Sequence, residues 1–306
     1  MTHGFLATNN SGQVLISSET RNLHFIGKAT LDRTIRAFDG YGGLRHFAFR
    51  IPCGVAPVPF FTAPTADYYG VAAVREVSSG TWEIEIIRSG IGASIPEVYI
   101  FADPRSIAAR DSDYGLLVYR DDGTPAFDSR LSPLAITGGT NVVPPSNPLT
   151  ATVSGLSGKY CTSDPGGSMG PNNFNTTDFS PLGDKPIYFY SSVAQAEREF
   201  GFSESEEECD GVDDGYGGCI GAQRNYSWTS VYWAFYRGGI QQAGNQLKVG
   251  WITTAFGCKW SESMDGSFIG IGTGGDSGDG GSWPYSNETL NLASTAVITA
   301  NGARYD

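Results

Sequence analysis

HGFLATNNSGQVLISSETRNLHFIG fills residues 3–27, and YGLLVYRDDGTPAFDSRLSPLAITG fills residues 114–138. Laid over one another they agree at six of 25 positions: Gly4 with Gly115, Leu6 with Leu117, Gly12 with Gly123, Ser18 with Ser129, Leu23 with Leu134, Gly27 with Gly138. Each phrase reads as a β-hairpin. Strands over 5–8 and 116–119 lead into turns over 9–12 and 120–123, and strands over 13–17 and 125–128 return. A four-residue turn ending in Gly fits a type I turn closed by a glycine bulge, because Gly takes positive φ at no steric cost. A hairpin alone is marginal in water and has to join a larger sheet. Leu6, Ile16 and Leu23, and their counterparts Leu117, Phe127 and Leu134, are therefore expected to be partly buried.

More strand lies between the copies. Residues 44–51, 69–77, 82–88 and 98–102 are apolar or alternating, and Ser78-Ser79-Gly80-Thr81 is a turn. Period two sets Trp82, Ile84 and Ile86 on one face and Glu83 and Glu85 on the other, which is expected to face solvent. A Pro- and Gly-rich stretch with Pro144-Pro145 resists helix and marks a boundary. Beyond it, 186–190, 228–240, 246–252 and 295–299 read as strands. Ser192 to Phe200, with Ser192 as cap and Gly201 as stop, reads as the one short helix. The expected fold class is all-β: a β-sandwich-like unit over 1–137 with the repeated hairpin, a linker over 138–154, and an aromatic- and glycine-rich, loop-rich β domain over 155–306 with at most one short helix.

Composition narrows the function. The chain has 306 residues, with 41 Gly and 16 Pro in no three-residue period, which excludes collagen and points to many turns. Its formal charge is -12, with 32 acids against 20 Lys and Arg, and no basic run to engage nucleic acid phosphates. No apolar run approaches the roughly 20 residues that span a bilayer, and residues 1–12 do not read as a signal peptide. Five cysteines stand at 53, 161, 209, 219 and 258. Cys209 and Cys219 bracket an acidic loop and either pair in an oxidising medium or remain free thiols.

A catalytic set is not apparent. The only histidines are His3, His24 and His46, and no close Cys–His set could form zinc's usual ligand shell. Gly275-Asp276-Ser277-Gly278 resembles the nucleophile motif of chymotrypsin-like proteases, but Asp279 replaces the expected Gly and no suitable histidine base accompanies it. No GxSxG elbow and no P-loop occurs. The expectation is a protein that is not an enzyme and has no cofactor. Asp210, Asp213 and Asp214 are a candidate calcium set of hard oxygen ligands without EF-hand spacing, against the plainer reading of a solvated loop.

Five of the six tryptophans follow residue 227. Trp228, Tyr232, Trp233, Tyr236, Trp251, Trp260 and Trp283 form a candidate binding or interface set. They read as core or subunit interface, or as a sugar-stacking surface if Trp251, Trp260 or Trp283 is exposed.

Tyr114-Gly115-Leu116-Leu117-Val118, Asp122-Gly123 and Phe127-Asp128-Ser129-Arg130 resemble the opening signature of small bacteriophage tail proteins. The first copy departs from it at His3 and Ser17. Residues 228–240 followed by Val249-Gly250-Trp251 resemble a later segment of such proteins, an Arg-Gly strand preceding a Gly-Trp strand. The resemblance covers about a third of the chain. It implies a structural virion protein at the distal end of a long-tailed phage, a tail-tip or baseplate minor tail protein contributing to host attachment. It also implies other tail proteins as partners, a homo-oligomer with a trimer favoured, and a bacterial surface receptor as a further partner. The alternative is a receptor-binding adhesin with a carbohydrate-binding C-terminal domain.

Overall fold

A computed structural model describes residues 6–8, 14–17, 22–38, 44–64, 67–89, 94–104, 115–146, 174–177, 179, 183–209, 212–213, 219–220, 223–244, 246–264, 267–272, 285–291 and 294–306. Among these residues the structure is all-β, with no α-helix. Strands β1 (Leu6–Thr8) and β2 (Val14–Ser17) form the first hairpin. There follow β3 (His24–Lys28), β4 (Thr30–Phe38), β5 (Leu44–Pro52), β6 (Val58–Phe61), β7 (Tyr69–Ser78), β8 (Thr81–Arg88) and β9 (Val98–Ala102). Strands β10 (Leu117–Tyr119) and β11 (Pro125–Asp128) form the second hairpin. Next come β12 (Ile136–Val142), β13 (Phe174–Thr177), β14 (Pro186–Phe189), β15 (Gln195–Cys209), β16 (Val212–Asp213) and β17 (Cys219–Ile220). The last are β18 (Gln223–Ala243), β19 (Gln246–Met264), β20 (Ser267–Gly272), β21 (Tyr285–Asn291) and β22 (Thr295–Asn301), before a short 3-10 helix, Gly302–Tyr305.

The two hairpins have one register. Leu6 pairs with Ser17, Ala7 with Ile16 and Thr8 with Val14; 111 positions on, Leu117 pairs with Asp128, Val118 with Phe127 and Tyr119 with Pro125. Each has its irregularity after the second pair. In the second copy Gly123 has φ +76° and donates its N–H to Arg120 O at 3.0 Å, as the turn chemistry requires. Phe127 is buried, and Leu23, Leu117 and Leu134 are half-buried. The side chains of Leu6 and Ile16 lie outside the described residues.

Six strands form an antiparallel sheet in the order β12-β22-β14-β6-β9-β3. Its edges meet at one end. Phe25 N donates to Ser132 O at 2.8 Å, Leu134 N donates to Leu23 O at 2.7 Å, and His24 bridges Pro133 between them. Residues 132–134 run directly into β12, so the sheet curls onto itself. One face gathers Phe60, Tyr99, Phe101, Ile187 and Ala300 with Phe25 and Leu134. Tyr305 fills it, its ring 4.9 Å from Phe101 and 5.2 Å from Phe25. The Tyr305 hydroxyl seals the seam, donating to Pro133 O and accepting from Ala135 N.

The opposite face packs on a ten-stranded sheet whose main path is β13-β19-β18-β7-β8-β5-β4. Val98, Ile100, Phe61 and Tyr188 from one sheet meet Phe47, Phe49, Ile84, Ile86 and Val249 from the other. Strand β9 has a core on each side, which is why VYIFA is apolar at every position and wholly buried. Both large sheets draw strands from either side of residues 138–154. Pro144 and Pro145 are buried, and Trp251 Nε1 donates to Pro145 O at 2.9 Å.

The short helix expected over Ser192 to Phe200 is instead extended chain. Gln195–Cys209 is a strand, paired with β18 on one side and β21 on the other. Helix formers such as Gln195, Glu197 and Glu199 yield to strand pairing, since tertiary context overrides intrinsic propensity. Val193 to Glu197 alternates exposed and buried with period two. Ser192 is buried, its N–H donating to Val71 O at 3.0 Å rather than capping a helix.

Candidate interaction surface

The glycines before and after the β18–β19 turn are placed by packing. Gly238 pairs with Trp251 and Gly239 with Gly250. A methyl group on Gly238 would lie 2.4 Å from the Tyr190 hydroxyl, and one on Gly239 would lie 2.4 Å from Ile252 Cδ1. Only glycine leaves room there for Tyr190 and Ile252. Trp251 and Tyr236 are core residues, 0% and 1% exposed. Neither presents a ring to a ligand, so a sugar-stacking face cannot use them.

From this core the strands run on. β18 and β19 stay paired as far as Tyr226 opposite Met264. β15 lines the other side of β18 down to Cys209 opposite Gln223, β20 joins β19, and β21 joins β15. A strand of 21 residues spans about 70 Å at roughly 3.3 Å per residue. Register sets Phe200, Tyr232 and Cys258 in one row across three strands, Phe202, Ser230 and Trp260 in another, and Glu204, Trp228 and Glu262 in a third. Trp233 stands between Glu199 and Gly257. Trp283 lies outside the described residues.

The outer face of the ten-stranded sheet holds a site that sequence reading missed. Glu83 and Glu85 were expected to face solvent. Glu83 is only 1% exposed. It stands directly between Arg50 on β5 and Arg75 on β7. Arg75 donates to Oε1 at 2.6 Å, Arg33 to Oε2 at 2.8 Å, and Arg50 to Oε2 at 3.3 Å. Burial alone would raise the Glu83 carboxyl, but the bonds from Arg75 and Arg33 outweigh it and hold it below the usual carboxylate range. Beside it His46 Nδ1 lies 2.8 Å from Glu85 Oε1, and this bond lowers the Glu85 carboxyl. The signal was present in the alternation of Glu83 and Glu85, but reading it required knowing which arginine-bearing strands flank β8. Asp32 joins the cluster through Arg33 and Arg50. Three arginines thus meet three carboxylates, and Arg237 lies near enough to Glu85 to help lower it.

Strand β4 borders this sheet with Leu31 and Ile35 exposed. Two irregularities in its pairing and the charges of Asp32 and Arg33 protect that edge from indiscriminate strand addition.

Of the calcium candidates, Asp213 lies on β16 opposite Cys219, and Asp210 and Asp214 lie outside the described residues. Among the described residues no three His, Cys, Asp or Glu side chains are grouped to hold a metal ion. Ser277 with Asp276 and Asp279 is likewise outside them, as is His3. No described helix is long and apolar enough to cross a membrane. Comparison of the chain with protein-family models, with curated proteins and with solved structures gave no match in any of the three.

Proposed function

We propose that the chain is a structural protein of the distal tail of a bacteriophage, a tail-tip or baseplate component that contributes to assembly and host attachment and is not an enzyme. The observation that carries this reading is the long β18–β19 pair. It is anchored in the core at Ile240, Trp251 and Ile252 and extends through Tyr226 and Met264. Typical strands run ~17–20 Å; strands several times that length supply surface beyond what one core needs, and such surface suits neighbouring tail proteins. The segments that resemble tail proteins support it further. One is the second hairpin, and the other two are directly paired, Arg237-Gly238-Gly239 against Gly250-Trp251-Ile252.

In this reading residues 1–137 and 155–306 build the two packed sheets together, with one hairpin used twice and β12 inside the stretch between them, and β15, β18 and β19 carry the assembly surface. The partners are other tail proteins, further copies of the chain in a trimer, and a bacterial surface receptor. Immunogold labelling of intact particles with antibody to the purified chain tests it. Gold at the far end of the tail is expected; particles that remain unlabelled, or labelled only on the head, contradict it.

A further inference from the structure

His24 opens β3 and is completely buried against the second hairpin. Its Nδ1 lies 2.9 Å from the Asn22 carbonyl oxygen. A carbonyl can only accept, so Nδ1 carries the proton. Nε2 then presents its lone pair, and the Asp128 backbone N–H donates to it at 3.4 Å. The ring lies 5.4 Å from the Phe127 ring. Asn22 completes the joint, its backbone N and side-chain Nδ2 both donating to Ala126 O. The hairpin of β10 and β11 thus docks on the residues around His24.

Charged neighbours are already partnered. From the β11 side, Asp128 receives Arg130 at 2.8 and 2.6 Å. After β9, Asp103 pairs with Arg120 at 3.4 Å. On β9 itself the residue opposite His24 is Ala102, and Ser132, Pro133 and Leu134 bring no charge.

We propose that His24 is an acid-sensitive latch: neutral, it holds the second hairpin to β3, and protonated at Nε2 it sets one N–H against that of Asp128 and lets the hairpin go. Burial depresses its pKa below the ordinary value of 6.5, against opposing pulls from Asn22, Asp128 and Asp103. The sign follows. Above about pH 6.5 both the docked and the free histidine are neutral and the latch has no cost. As pH falls below that value only the free form takes a proton readily, and docking weakens.

Hydrogen exchange on the intact chain, corrected at each pH for intrinsic rates, tests this. Between pH 7 and pH 5 the amides of Phe25, Asp128 and Leu134 should lose about tenfold in protection, while those of β5 and β8 hold. His24→Gln, which keeps a donor and an acceptor but no titration, should remove that difference. Protection that stays constant at the hairpin, falls equally in β5 and β8, or still falls in His24→Gln overturns the latch. Should His24→Gln not fold, ring nitrogen NMR of the native chain decides. Protonation of His24 should track the loss of protection, and protonation without that loss overturns the proposal.

Discussion

Leu134 donates its backbone N–H to the Leu23 carbonyl at 2.7 Å, and these two leucines hold the same place in the two copies of the 25-residue phrase. Equivalent residues therefore meet at the seam, where an antiparallel pairing centred on Leu23 and Leu134 relates these short segments by a local two-fold. The symmetry stops where chemistry forbids it. Asn22 N donates to Ala126 O, but the equivalent donor would be Pro133, which has no N–H.

The seam should be energetically substantial. Phe127 is buried between Val118, Ala126 and the His24 ring. Phe127→Ala is expected to cost about 3–5 kcal/mol in urea unfolding, the usual range for a buried Phe. A loss below about 1 kcal/mol would mean that the hairpin is not packed on β3.

Glycine positions in the sheet should separate sharply. Gly239→Ala drives a methyl into Ile252 and should cost roughly 1–3 kcal/mol. Gly27→Ala meets nothing within 4 Å and should be neutral or stabilising by up to about 1 kcal/mol. Thermal unfolding of the two variants side by side reads the contrast.

Trp251 should behave as a core residue. Trp251→Ala is expected to destabilise by about 3–5 kcal/mol, and Trp251→Phe by roughly 1 kcal/mol for the bond to Pro145 O plus some packing. Folded, well-behaved Trp251→Ala protein that has lost only polysaccharide binding would contradict the burial.

Acid should undo the arginine cluster. The Glu83 carboxyl is depressed, so its contribution is present above the unfolded value near 4.5 and is lost as pH falls through the lower folded value. Glu83→Gln should destabilise the chain by about 1–3 kcal/mol at pH 7 and flatten the stability curve below pH 4.5. A variant with the same acid limb as the native chain would show that Glu83 does not govern it.

How far the sequence could be read depended on whether a feature is local. The turn at Gly123, the turn at Gly80 and the alternation of Ile84 and Ile86 follow from neighbours in the chain, and all appear in the structure. The strand at Gln195–Cys209 does not, because β18 and β21 impose it through pairings that reach from Gln195 to Arg237 and Asn291. Glu83 looked solvent-facing because its ligands Arg33, Arg50 and Arg75 come from three other strands. Trp251 read as core, interface or surface ring alike, because the partner that decides it, Pro145, lies 106 residues earlier. The sequence also offered no sign that Tyr305 would plug the curled sheet.

As proposed, this all-β chain is a building block at the far end of a phage tail. A density map of intact particles carrying it tests that most directly. Density is expected at the distal tip into which the curled six-stranded sheet fits, with β18 and β19 running toward neighbouring subunits. A tip fully explained by other chains, with this one absent from the particle, would contradict it.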